Sequence, residues 1–119
     1  MIGFEDITQP LNDYERKTLL PLIVWGLRSK IGVRNVIAGS TIIRKMREQG
    51  YKLDGPRLRK IINHIRLRSI IPCLVSTSKG YYIATSDNEV AACIASLESR
   101  VEATQAIITA LTNQRAQNF

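Results

Sequence analysis

Two amphipathic segments joined by a tight turn constrain the fold of this chain most. In the first, residues 41–49, the inward apolar side chains have helical spacing: Ile42, Ile43 and Met46. Gly50 ends this segment, because glycine tolerates the left-handed conformation that closes many helices. In the second, residues 56–68, the apolar stripe follows the i, i+3, i+4, i+7 pattern: Leu58, Ile61, Ile62 and Ile65. With only residues 51–53 between them, the pattern predicts a helix, a tight turn and a second helix.

A further helix is predicted before this pair. Asn12 and Glu15 have the spacing of a capping box, and residues 13–30 carry apolar side chains at helical intervals. Pro21 falls inside this segment, where it lacks a backbone donor and crowds the preceding turn. We therefore expect a kink or a break at Pro21. Residues 33–38 are either a short strand or an extended link.

Capping residues mark the starts of the two paired helices. Ser40 is the predicted N-cap of the first, because its hydroxyl can accept a hydrogen bond from a first-turn N–H. Asp54 or Gly55 is the predicted cap of the second. Pro56 then lies in the first turn, where a missing N–H costs nothing.

Past residue 68 the apolar period changes from helical to extended. Residues 70–76 and 81–85 are rich in β-branched and aromatic side chains, and turn-forming residues separate them. They predict a β-hairpin with Lys79 at its tip. A final helix begins at Ser86 or Asp87 and runs to about residue 114. The predicted fold class is mainly α with a small β-hairpin (α+β), followed by a long C-terminal helix.

The basic residues are concentrated in the middle of the chain. The formal net charge is +7, and residues 16–79 hold 15 of the 17 Lys and Arg with only two acidic residues. Nine of these basic residues lie between Arg44 and Arg68. A localised positive field of this kind favours a polyanionic partner over a generic basic surface. The composition therefore predicts a nucleic-acid partner.

The order of these elements, closing on Lys79-Gly80-Tyr81-Tyr82-Ile83, resembles the winged helix-turn-helix family of small bacterial and phage proteins. The resemblance covers roughly residues 12–85 and implies that residues 1–85 form a winged-helix DNA-binding domain. In that family the second helix of the motif enters the major groove, and the hairpin, or wing, touches the backbone or the minor groove. The resemblance implies double-stranded DNA as the partner of a transcriptional regulator or phage DNA-binding protein.

Carried onto this sequence, the resemblance makes residues 55–68 the recognition helix. Its exposed side chains that would contact DNA are Arg57, Arg59, Lys60, Asn63 and His64, with Arg66 as a further candidate. The preceding helix and the wing would add Ser40, Thr41, Arg44, Lys45 and Lys79. Arg and Asn can each form two hydrogen bonds to a base edge, whereas Lys and Ser hold phosphates. Arg59, Lys60 and Asn63 are therefore the expected groove residues, and Lys79 the expected wing contact.

Residues 86–119 form a separate C-terminal helix with an apolar seam of its own. The seam positions alternate by four and three: Val90, Ile94, Leu97, Val101, Thr104, Ile108 and Leu111. This is a heptad pattern, and its β-branched a residues favour a two-stranded coiled coil. The seam therefore predicts a homodimer. The alternative is that the same stripe packs against the first helix of its own domain.

The sequence argues against several other classes of protein. It has no Gly-rich phosphate loop and no HExxH motif, so we expect no enzyme. No cofactor, metal or small-molecule ligand is implied, because a lone histidine, His64, supports neither a metal site nor a triad. No long apolar run or basic signal sequence is present, which predicts a cytoplasmic protein. The alternative function is a winged-helix docking module in a replication or packaging assembly.

Overall fold

The computed structural model describes residues 9–119, and they form two compact units. The first unit ends at Thr85 and contains helices and a two-stranded antiparallel sheet. The second, Ser86–Phe119, is one long helix. The chain is thus mainly helical with a small hairpin and a long C-terminal helix, which is the fold class expected from the sequence.

The first helix begins with an irregular turn. A π-helical segment, Glu15–Leu19, runs directly into α1, Leu20–Leu27, and the Leu20 amide donates to the carbonyl of Glu15 five residues back. Pro21 follows at once and has no N–H to donate. π-Helical turns are rare and occur mostly as single irregular turns inside α-helices. The helix continues through Pro21 after this turn, so the break considered for Pro21 does not occur, and a kink there stays a prediction.

The tight turn between the paired helices has the predicted glycine stop. The first of them, α2, spans Gly39–Glu48, and Gly50 follows it with a positive φ of 90°. The Gly50 amide donates to the carbonyl of Arg47 at 3.0 Å, and the Tyr51 amide donates to that of Met46 at 3.0 Å. These are the two hydrogen bonds of a Schellman motif, which satisfies the last carbonyls of a helix. The predicted end of α2 is confirmed.

The predicted start of α2 is wrong by two residues. Ala38, in an extended conformation, is the N-cap, and Ser40 lies inside the first turn without capping it. The Ala38 carbonyl accepts from Thr41 at 3.0 Å and from Ile42 at 3.2 Å. The reason is a contact distant in sequence, because Ile37 is paired with the hairpin and the chain turns immediately after it.

The second paired helix, α3, spans Gly55–Leu67 and forms the centre of the first unit. Asp54 is its N-cap and accepts a hydrogen bond from the Arg57 amide at 2.9 Å, while Pro56 occupies the first turn. Four of the six largest fully buried side chains belong to its predicted stripe: Leu58, Ile61, Ile62 and Ile65. The cap and the stripe are both confirmed, and α3 is packed against the rest of the unit along its whole length.

The hairpin consists of β1, Leu74–Thr77, and β2, Gly80–Ile83, paired antiparallel. β2 is also held on its other side, where Tyr81 and Ile37 exchange two backbone hydrogen bonds of 2.9 Å. The segment that contains Ile37 begins with a 3₁₀ turn at Val33–Asn35. Residues 33–38 are therefore a link with a single bridging residue.

The C-terminal helix, α4, spans Asp87–Asn118, and its 32 residues correspond to a length of about 48 Å. Ser86 caps it by accepting a hydrogen bond from the Glu89 amide at 3.4 Å. None of its residues is buried. Within residues 9–119, every helix lacks the combination of length and apolar character that a membrane span requires.

We expect Gly80→Ala to lower the free energy of unfolding by about 2 kcal/mol or more. Gly80 has a φ of +135°, and an added Cβ would overlap the carbonyl oxygen of Ile37. Urea denaturation measures the loss. Gly50→Ala is the matched control, because its φ is also positive but an added Cβ meets nothing within 4 Å. That variant should lose only about 1 kcal/mol, and equal losses in the two variants would contradict this account.

Candidate nucleic-acid interface

Helical spacing divides the charged residues of α3 into two flanks beside its buried stripe. One flank carries Arg57, Lys60 and His64, and the other carries Arg59 and Arg66. The structure gives these two flanks different partners. From the sequence, all five were expected on one exposed surface. Which of them can contact a ligand therefore depends on the partners that the structure gives to each flank.

One buried carboxylate holds the first flank. Glu15 is only 3% exposed, and one of its oxygens, Oε1, accepts a hydrogen bond from Lys60 Nζ at 2.7 Å. The other, Oε2, accepts from Arg57 Nε at 3.0 Å. We call Glu15, Arg57 and Lys60 the Glu15 cluster. It ties the first turn of the first helix to α3 across 42 and 45 residues of sequence.

The predicted exposure of Lys60 is wrong, and that of Arg57 is only partial. The side chain of Lys60 is 13% exposed and that of Arg57 is 29% exposed. Because both share the Glu15 carboxylate, the Glu15 cluster carries one net positive charge instead of two. Contact of either residue with DNA stays a prediction, but neither is a free cation on the helix surface.

The same region also fixes the tight turn before α3. Arg57 donates through Nη1 to the carbonyl of Lys52 at 3.1 Å, and the Lys52 amide donates to the Tyr14 hydroxyl at 2.9 Å. The Arg57 guanidinium lies 5.4 Å from the centre of the Tyr14 ring, within the range of a cation–π contact. The first helix, α3 and the turn that precedes α3 are therefore held together by one set of side chains.

Glu15 is ionised at neutral pH. Burial raises its pKa, but hydrogen bonds from Lys60, from the Asn12 amide and from Arg57 together hold the pKa below its ordinary value. The Asn12 amide contributes because the capping box is formed in both directions, with two hydrogen bonds of 2.9 Å between Asn12 and Glu15. The predicted capping box is confirmed, and its carboxylate has a second role that the sequence did not reveal.

The two residues of the second flank have different surroundings: Arg59 faces solvent, and Arg66 contacts the hairpin. Arg59 is exposed, and within residues 9–119 it has no ion-pair partner. Arg66 instead donates through Nε to the carbonyl of Leu74 at 2.8 Å and through Nη2 to Ser76 Oγ at 3.2 Å. Arg66 therefore positions β1 against α3. Asn63, half-buried, lies between the two flanks.

His64 is half-buried on the first flank. Burial lowers its pKa, and the nearby charge of Arg68 lowers the pKa further, so the imidazole is neutral at neutral pH. A neutral imidazole can donate or accept a hydrogen bond but adds no charge to the surface.

The remaining predicted contacts lie on α2 and at the tip of the hairpin. Ser40, Arg44 and Lys45 are exposed, Thr41 is half-buried, and the Arg44 guanidinium lies 4.0 Å from the Glu48 carboxylate. Lys45 lines a groove between α1 and α2, in which no α3 or hairpin residue takes part. Lys79 is exposed, and its amide donates to Thr77 Oγ1 at 3.1 Å.

Two positioning residues were not predicted from the sequence. Glu15 was expected only as half of a capping box, and Arg66 only as a further DNA contact. The one available signal for Glu15 was the scarcity of carboxylates near so many basic residues. Nothing in the local sequence pattern of α3 showed that Arg66 reaches back to β1, because that contact depends on how the hairpin folds over the helix.

We expect Glu15→Gln to lower the free energy of unfolding by about 3 kcal/mol, because it leaves two partly buried cations without their carboxylate. Glutamine still supports a capping box, so the loss reports the charge. The measurement is chemical denaturation between pH 3 and pH 8.

The pH dependence gives this prediction a second readout. The folded pKa of Glu15 is depressed, so its stabilisation is present above the unfolded pKa of about 4.3 and is lost as the pH falls through the folded pKa. Glu15→Gln should lack this acid-sensitive component. Asp13→Asn, which removes the exposed partner of Arg16, is the control and should change stability little. Similar effects of the two substitutions would argue against the Glu15 cluster as an anchor.

Comparison of the chain with family models, with curated proteins and with solved structures finds no match.

Proposed function

We propose that the first unit binds double-stranded DNA, with α3 in the major groove and the turn between β1 and β2 as a wing. The observation that carries the proposal is the guanidinium of Arg59, which is exposed on α3 one helical turn before Asn63 and has no ion-pair partner among residues 9–119. Arg pairs two acceptors on a guanine edge, and Asn does the same with the adenine edge. The proposed setting is the cytoplasm, and the proposed role is that of a regulator or phage DNA-binding protein, without catalysis.

The two flanks of α3 have different roles in this proposal. Arg59 and Asn63 read bases, while the Glu15 cluster holds the helix at a fixed orientation to the rest of the unit. Arg66 connects α3 with β1, so the hairpin that carries Lys79 keeps a defined position beside the helix. Pre-organised contacts of this kind lower the entropic cost of binding.

Other predicted residues would supply phosphate contacts. Ser40, Thr41 and Arg44 lie at and after the first turn of α2, whose N-cap, Ala38, provides no side-chain cap. The N–H groups of such a turn and nearby hydroxyls suit a phosphate oxygen. Lys79 would meet a phosphate from the wing. These contacts orient the protein on the duplex but carry no sequence information.

We expect Arg59→Ala to weaken binding to a labelled duplex, selected by the unmodified chain from a random-sequence pool, by about 1–3 kcal/mol, because Arg59 is proposed to read a base edge. Each phosphate neutralised contributes about −0.9 to the log–log slope of affinity against salt concentration. A contact to bases alone should leave this slope nearly unchanged. Fluorescence anisotropy at several salt concentrations measures both quantities.

Arg115→Ala is the matched control, because Arg115 is an exposed arginine in the last turn of α4. It should leave the affinity and slope of the first unit nearly unchanged. An absence of binding by the unmodified chain at low salt would exclude the proposal, and equal effects of the two substitutions would remove Arg59 from the interface.

We propose further that α4 pairs with α4 of a second copy. No residue of this helix is buried, although its seam includes large apolar side chains that are at least 44% exposed: Ile94, Leu97, Val101, Ile108 and Leu111. Helices of this kind are stabilised mainly by packing of their apolar face. Val90 is the first position of the seam, and Thr104 is its one polar layer. With the five apolar positions they complete the heptad pattern of a two-stranded coiled coil.

Leu97→Asp should convert the dimer into a monomer, because it places a carboxylate in the centre of the seam. Light scattering at tens of micromolar protein measures the mass. Ser99→Asp adds the same charge at a position outside the seam, and it should leave the mass unchanged. A monomeric mass for the unmodified chain would contradict the dimer.

A further inference from the structure

A groove of about 750 Å³ lies between α1 and α2, and no α3 or hairpin residue lines it. Its floor is apolar and is continuous with the core through Met46 of α2, which packs against the buried cluster. One wall is Trp25, the only tryptophan of the chain, whose surface is 80% exposed. Tryptophan, methionine and arginine are enriched in the cores of protein interfaces. This groove contains Trp25 and Met46, with Arg28 among its charged residues.

Gly26 supplies an observation of a different kind. It lies beside Trp25 in the last turn of α1 and lines the groove, and an added Cβ would meet nothing within 4 Å. Glycine costs a helix stability relative to alanine, and Gly26 lies in the last turn of α1. Among residues 9–119, no neighbour packs so closely that it would exclude a larger side chain there. The effect of Gly26 is a bare stretch of backbone on the groove surface, which lets an incoming side chain approach closely.

The charges of the groove have one sign. Its ionisable residues are Arg28, Lys30 and Lys45, and of the described residues that line it none is acidic. None of the three forms an ion pair with another residue in the range 9–119. An apolar floor with a basic rim complements a partner that is apolar on one face and acidic beside it.

A protein segment fits this surface better than a small ligand or DNA. Small-molecule sites bury most of their ligand, whereas a wall that is itself four-fifths exposed must be covered from outside. In an intact DNA duplex the base faces are stacked inside, so the duplex offers no continuous apolar face to fill the floor. An apolar groove is one of the recurring receptors for an amphipathic helix, whose anchors recur at i, i+3 or i+4, and i+7.

We infer that this groove is the docking site of an acidic amphipathic helix from a partner protein. An apolar anchor lies over Gly26 and against Trp25, and acidic side chains of the helix meet Lys30 and Lys45. The inference does not depend on the proposed DNA contacts, because neither α3 nor the hairpin lines the groove.

The test uses a displayed library of 16-residue helix-forming peptides with randomised faces, selected for binding to the full chain. Recovered peptides are synthesised without tryptophan, so that the emission of Trp25 reports their binding directly. We expect acidic peptides with an apolar stripe, and a blue shift of the emission as the peptide covers Trp25. Gly26→Leu should weaken this binding by tenfold or more, on the order expected for a blocked central contact. Lys30→Glu combined with Lys45→Glu should also weaken it.

Two controls separate loss of the groove from loss of the fold. Gly26→Ala has room for its Cβ and should bind peptide more tightly than Gly26→Leu. Leu67→Ala removes an exposed apolar side chain of α3 outside the groove and should leave peptide binding unchanged. Circular dichroism of each variant checks that the helices remain.

The inference is overturned if the library yields no binder, if the binders lack acidic residues, or if Gly26→Leu binds them as tightly as the unmodified chain. It is also overturned if a peptide of residues 87–102 competes as strongly as the selected peptides, because a segment of this chain, and not a partner protein, is then the occupant. Duplex binding measured in the same variants distinguishes this result from a failure of the proposed DNA function.

Discussion

The orientation of α3 depends on one buried carboxylate. Glu15 accepts hydrogen bonds from Lys60 and Arg57, and the same side chain closes the capping box at the start of the first helix. A buried ion pair contributes little net stability when complete, because desolvation offsets its attraction, but removing one member leaves an expensive unpaired charge. We therefore expect the Glu15 cluster to act mainly through specificity, by favouring one rotation of α3 about its axis over the others.

That selection determines which charges remain available to a partner. The middle of the chain is strongly basic, yet Glu15 neutralises part of this charge within its cluster. The guanidinium of Arg66 is hydrogen-bonded to β1. Arg59 is left exposed on α3. A count of basic residues thus overstates the charge that a ligand can meet, and the proposed DNA interface is narrower than the sequence implied. The basic rim of the groove beside Trp25 is a separate surface of the same sign.

Much of the fold could be predicted from local patterns. The apolar stripe of α3, the glycine stop after α2 and the capping box at Asn12 depend on residues at most a few positions apart, and all three are as expected. The predictions that are wrong concern positions where a contact distant in sequence determines the local structure. Ser40 is a good local cap, but the pairing of Ile37 with Tyr81 starts the helix earlier. Lys60 has the spacing of an outward residue, but its flexible side chain reaches a carboxylate 45 residues away. Periodicity assigns a residue to a face and cannot show what a neighbouring element brings to that face.

The Glu15 cluster also has a consequence for how sequences of this type can diverge. Lys60→Glu would be mild on an isolated helix, but here it would bring two carboxylates together in a buried place beside a single arginine. A change at Glu15 would likewise cost less if positions 57 and 60 carried no charge. We therefore expect substitutions at these three positions to depend on one another. Arg59 is exposed and outside the Glu15 cluster, so the fold places no comparable restriction on that position.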